Sequence, residues 1–137
     1  MSIDTDAAFR AILTSASAVT NLVGTRVYEG YLPEGTAANT QIARPAISYD
    51  VDPASPGDDD TEAGADIDYV VRCWADTTVA ARGAYSAIKD AIKAVNNQSF
   101  ASVFCYEGRE IKPGRNNEDP ETGQTYCEAV FRVGFRL

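Results

Sequence analysis

The sequence predicts an α+β domain in which a mainly antiparallel sheet of about four to five strands carries two helices packed on one face. Three observations lead there. Two segments repeat apolar residues at helical spacing, several others alternate apolar and polar residues with period two, and the later strands are joined by short connections. The 137 residues fit one domain spanning 1–137, and with hydrophobic residues at 45% they can bury a core without a disulfide framework.

The first helix follows Asp4 or Thr5, either of which can cap it, and its apolar positions Phe9, Ile12, Leu13 and Ala16 form one stripe. A short turn carrying Val19, Leu22 and Val23 then ends at Gly24, the residue best suited to a left-handed helix terminus. Arg26–Leu32 is rich in strand formers, and Pro33 with Gly35 marks its exit into a polar loop running to Arg44. After Pro45, the apolar residues Ile47, Tyr49 and Val51 alternate with Ser48, Asp50 and Asp52, as in a half-buried strand.

Residues 53–65 combine Pro, Gly and the acidic run Asp58, Asp59, Asp60 and Glu62, with no large apolar anchor. A mobile loop is expected there, as for 34–44 and 113–123. Strand alternation resumes from Asp66 to Ala75, placing Ile67, Tyr69, Val71 and Cys73 on one face and Asp66, Asp68, Val70, Arg72 and Trp74 on the other. Asp76 or Thr77 can cap a long helix with the stripe Ala81, Tyr85, Ile88, Ile92 and Val95, closed by Asn96-Asn97. Val103–Ile111 forms a further strand, Lys112–Gly123 a connection, and Gln124–Leu137 the last strand, with Cys127, Ala129, Phe131, Val133, Phe135 and Leu137 facing one way.

The face turned away from the helices carries Ser48, Asp50, Asp68, Arg72, Trp74, Glu128, Arg132 and Arg136. Such a mixture is either a solvated sheet face or a subunit interface, because Trp and Arg are favoured at interfaces. Arg72, Trp74 and Arg132 are the candidate interface residues.

Chemistry is sparsely encoded. The chain has no histidine, which removes the commonest general base and metal ligand. Cys73, Cys105 and Cys127 lack metal-ligand spacing and are expected to be buried thiols, with a Cys105–Cys127 bridge as the alternative. Tyr85 and Lys89 match a Tyr-x-x-x-Lys spacing, but no Gly-x-Gly-x-x-Gly turn accompanies them, and Tyr85 belongs to the apolar stripe. The acidic run lacks the ligand alternation of a calcium loop. No catalytic, cofactor or metal site is therefore expected. A net charge of -8 opposes simple DNA binding, and Arg109, Lys112 and Arg115 make only a loose basic cluster. No apolar run is long enough to span a bilayer, and the N-terminus lacks the regions of a signal peptide, so a soluble protein is expected.

Several motifs, in order, resemble the tail-terminator or tail-completion family of long-tailed phages and prophages. These are Leu22-Val23-Gly24-Thr25-Arg26-Val27-Tyr28, Leu32-Pro33, Pro45-Ala46-Ile47-Ser48-Tyr49, Arg72-Cys73-Trp74-Ala75, and Phe131-Arg132-Val133 near the C-terminus. The resemblance implies a structural virion protein at the head-tail junction. Such a protein caps the head-proximal end of the tail tube, commonly as a homo-hexameric ring, and meets the tail tube protein and head-tail connector proteins while DNA passes through. It brings no catalytic residues or cofactor. Under this reading Asp58, Asp59, Asp60 and Glu62 line the lumen or meet a partner. A monomeric head-completion or neck adaptor, and a small enzyme with an inter-subunit site, are the alternatives.

Overall fold

A computed structural model describes residues 4–30, 45–53, 65–120 and 123–136. Its elements are α1 (Thr5–Ser15), α2 (Ser17–Val23), β1 (Val27–Glu29), β2 (Ala46–Val51), β3 (Ala65–Ala75), α3 (Thr78–Lys93), β4 (Asn96–Phe100), β5 (Val103–Glu118) and β6 (Thr125–Arg136). The class is α+β, as the periodicities predict, with three helices and six strands among the described residues instead of two and four to five.

The helix boundaries follow from side-chain caps. Asp4 accepts a hydrogen bond from the Ala7 amide at 2.9 Å, and Thr77 accepts one from the Ala80 amide at 3.1 Å, each satisfying an amide that the first turn leaves unpaired. The turn expected around Val19 is a true helix, α2, that buries Val19 and Val23 but leaves Leu22 41% exposed. Gly24 closes it at φ 57°, the left-handed region expected from its position. Helix α3 ends at Lys93, so Asn96-Asn97 begins a strand and does not close the helix.

The strands lie in the order β1-β2-β3-β6-β5-β4. Four pairings are antiparallel, while β1 runs parallel to β2 with Val27 opposite Ile47. The extra strand β4 pairs with β5 through a two-residue turn, Ala101-Ser102, in which both residues have positive φ. β5 runs to Glu118, through a stretch the sequence assigns to a loop. Register shifts against β6 fall between Cys105 and Glu107, between Glu110 and Lys112, and between Lys112 and Arg115, the last accommodating Pro113 and Gly114.

One face of the sheet and the three helices enclose the core. Phe9 stacks on Tyr69 with ring centroids 3.9 Å apart, and α3 buries Ala81, Ala84, Tyr85, Ile88 and Ile92. Helix α3 packs on β3, β5 and β6, whereas α1 touches β4 and also reaches Tyr49 of β2 through Phe9. The sheet therefore curls about the helices. Two expectations for β2 fail at this curl: Val51 is 39% exposed, and Ser48, expected on the wet face, is 2% exposed.

All three cysteines are free and buried. Cys105 lies opposite Phe135 and Cys127 opposite Cys73, which separates Cys105 from Cys127 by eight positions along β6. At about 3.3 Å per residue that gap excludes the Cys105–Cys127 bridge.

Candidate assembly surface on the outer sheet face

The outer face is built by the alternate residues of β2, β3, β6 and β5 that point away from the helices. Registration places Ser48 opposite Arg72, Asp68 opposite Arg132, Arg72 opposite Glu128 and Trp74 opposite Tyr126. Two of these pairs are ion pairs. Arg132 makes a two-pronged contact with Asp68 at 2.6 and 3.1 Å, and Arg72 bonds Glu128 at 2.7 Å. The planar guanidinium matches a carboxylate in this two-pronged way, which favours Arg over Lys at position 132.

Burial differs between the two pairs. The Asp68 side chain is 7% exposed against 25% for Arg132, while Arg72 and Glu128 are 35% and 32% exposed. Hydrogen bonding to Asp68, reinforced by the Asp68 and Asp66 charges, raises the Arg132 guanidinium above its usual pKa. Arg132 thus compensates a buried negative charge. The Arg72–Glu128 pair is a surface contact worth well under about 1 kcal/mol.

Trp74 stands half-buried beside this pair. Its indole N–H donates to the Ser48 hydroxyl at 3.0 Å, its ring lies 4.5 Å from that of Tyr126, and the Arg72 guanidinium sits 5.9 Å from the Tyr126 ring centre. Arg72, Trp74 and Arg132, selected from sequence, therefore share one face, and Trp74 points away from the core as strand alternation requires. What the sequence does not reveal is that Tyr126 completes an aromatic pair there and that Ser48 is buried beneath the indole. Cross-strand register alone brings them together. Asp58, Asp59, Asp60 and Glu62 lie outside the described residues.

The groups singled out for chemistry occupy structural positions. The Tyr85 hydroxyl donates to Glu110, and the Lys89 ammonium lies 3.9 Å from the same carboxylate. Burial, then the hydrogen bond to Glu110, raises the Tyr85 phenol above its usual pKa, the opposite of an activated phenol. Burial likewise pushes the Cys105 thiol up to about 11 and raises Cys73 and Cys127, so the reactive thiolate form is disfavoured. An open depression lined by Thr78, Asn116, Asn117, Glu118 and Thr125 offers a single carboxylate. Among the described residues, no three His, Cys, Asp or Glu side chains are grouped to hold a metal ion, and no helix is long and apolar enough to cross a membrane.

A family model described as tail completion protein gp17 matches residues 7–124. Among curated proteins, none matches the chain. Of solved structures, a chain from the virion of a native gene transfer agent (GTA) particle shares the fold with a TM-score of 0.70 at 22% identity, covering 96% of this chain and 93% of that one.

Proposed function

The chain belongs to the tail completion protein gp17 family, and from that premise we propose that it caps the head-proximal end of the tail tube as a homo-hexameric ring. In this role it joins the tail to the head connector and leaves a passage for DNA. The protein works by surfaces and catalyses no reaction. A ring requires each subunit to offer two different, complementary surfaces, and the outer sheet face is the first candidate for one of them. The observation that supports this choice is the half-exposed Trp74–Tyr126 pair flanked by Arg72. Rigid aromatics beside an arginine are the composition of interface centres.

The test is absolute mass in solution by light scattering on a sizing column, over a range of concentration. A discrete mass of six subunits is the expected result. Trp74→Ala should weaken assembly at least tenfold while leaving a folded monomer, since loss of an aromatic anchor at an interface centre costs about 2 kcal/mol or more. A ring untouched by Trp74→Ala would remove that residue from the contact.

A second reading has its own support. The charges of Arg72, Glu128, Asp68 and Arg132 are already paired within the subunit, as befits a face that stays wet on a monomeric neck adaptor. A strict monomer at every concentration would select that reading.

A further inference from the structure

The bulges of β5 place three cations on the outer face in a way strand alternation would not. In a regular strand, residues three apart point to opposite faces. Here Arg109, Lys112 and Arg115 lie opposite Arg132, Val130 and Glu128, which are only two apart on β6. Each bulge absorbs one residue, so all three cations share the face of Arg132.

They are also uncompensated. Arg109 faces another cation, Arg132, which is committed to Asp68. Arg115 faces Glu128, which is committed to Arg72. Glu107 shares the face two positions from Arg109 without forming an ion pair with it, and among the described residues none of the three cations has an ion-pair partner. All three are exposed, in a chain of net charge -8.

The opposite end of the described sheet carries the opposite charge. Glu29 on β1 and Asp50 on β2 are exposed, and Asp6 reaches the same corner from α1 through its bond with the Tyr69 hydroxyl at 3.2 Å. Partial burial, then a hydrogen bond and repulsion from Asp6, raise the Glu29 pKa, with Asp50 adding to the repulsion. Arg10, the cation beside this corner, donates to the Val27 carbonyl. The acidic corner thus holds like charges against one another, and approach of a row of cations without ion-pair partners relieves that repulsion.

We infer that the cationic row Arg109, Lys112 and Arg115 docks on the acidic corner Asp6, Glu29 and Asp50 of a second copy of this chain. The contact is head to tail, because the two patches sit at opposite ends of a curled sheet, and a heterologous contact of that kind closes into a ring or continues as a filament. The inference rests on the ring reading above and specifies which surfaces mate.

Two charge-reversed proteins test it, one carrying Arg109→Glu, Lys112→Glu and Arg115→Glu, the other Glu29→Lys and Asp50→Lys. Asp6 is left intact because it is tied to the core through Tyr69. Light scattering should show each variant monomeric and still cooperatively folded in thermal melts, and an equimolar mixture should regain the parent mass, because every junction then joins opposite charges. The parent assembly should also loosen in ~1 M salt, where screening acts over about 3 Å. If either reversed protein fails to fold, the Gln versions at the same positions should weaken assembly at least tenfold.

A parent ring whose mass neither reversal changes would overturn the inference and leave the ring reading standing. Folded variants that stay monomeric when mixed would also overturn it. Duplex DNA binding by the parent, lost on reversal of the β5 row with the mass unchanged, would reassign the row to nucleic acid. A parent that remains monomeric in all conditions overturns both readings.

Discussion

At the residue scale, the outer face is governed by compensation of charge. Asp68 is a buried carboxylate on the outer face, and Arg132 supplies its counter-charge. Arg132→Ala should therefore destabilise the fold by about 3 kcal/mol, and by clearly less in an Asp68→Asn background, as measured by urea unfolding and a double-mutant cycle. Arg72→Ala should change stability by well under about 1 kcal/mol, because water solvates both members of that pair. Glu29 shows the reverse situation, a carboxylate crowded by others. Its raised pKa means that the folded state holds the proton longer than the unfolded chain does. Stability then falls as pH rises from the ordinary glutamate value of 4.5 through the raised one, and the penalty is complete above it. Glu29→Gln should melt higher than the parent near pH 7, and the gain should vanish near pH 3. Residue identities of this kind are readable in the sequence. Their partners are not, since Asp68 and Arg132 are 64 positions apart and meet only through the β3–β6 register.

At the scale of elements, local chemistry explains both what is legible and what is missed. Helices α1 and α3 announce themselves by cap and stripe, and β3 and β6 by strict alternation. β4 is hidden because Asn96, Asn97, Gln98 and Ser99 are poor or neutral strand formers, and its turn lacks the Asn-Gly type of signal. Ala101 and Ser102 adopt φ 48° and 65°, a conformation that costs a residue with a Cβ about 1 kcal/mol or more. Ala101→Asn with Ser102→Gly should accordingly raise stability by about 1–2 kcal/mol in thermal or urea unfolding. The second half of β5 is hidden for a different reason. Pro113 and Gly114 read as loop residues, yet Gly114 sits where an added Cβ would lie 2.8 Å from the Cys127 sulfur and the Tyr85 ring. Packing of α3 across the bulge requires that glycine. Gly108 is tighter still, since a Cβ there would come 2.4 Å from the Ile92 carbonyl oxygen at the end of α3. Gly108→Ala should destabilise by about 1–3 kcal/mol, and more if the α3 backbone cannot shift.

At the scale of the whole molecule, curling of the sheet about three helices gives the protein two sheet ends of opposite charge and a convex outer face between them. An assembly protein needs such anisotropy, because its neighbours must dock in one order and one orientation. Long-range charge then guides encounter, while a central aromatic pair such as Trp74–Tyr126 sets how tightly the contact holds. In the proposed ring, single-charge neutralisation such as Lys112→Gln should therefore act mainly on the salt dependence and rate of formation, with full reversal abolishing assembly, and Trp74→Ala on the lifetime of the closed ring, as read by subunit exchange between differently labelled rings.

The sequence by itself determined the α+β class, the helix stripes, the buried thiols and the family, because each is encoded in residue spacing or in short contiguous motifs. The order of the strands, the parallel pairing of β1, the burial of Ser48 beneath Trp74 and the alignment of Arg109, Lys112 and Arg115 were decided only by the tertiary structure. These features depend on register between segments far apart in the chain. A single bulge changes which face a side chain occupies, and no local pattern of residues records where the bulges of β5 fall.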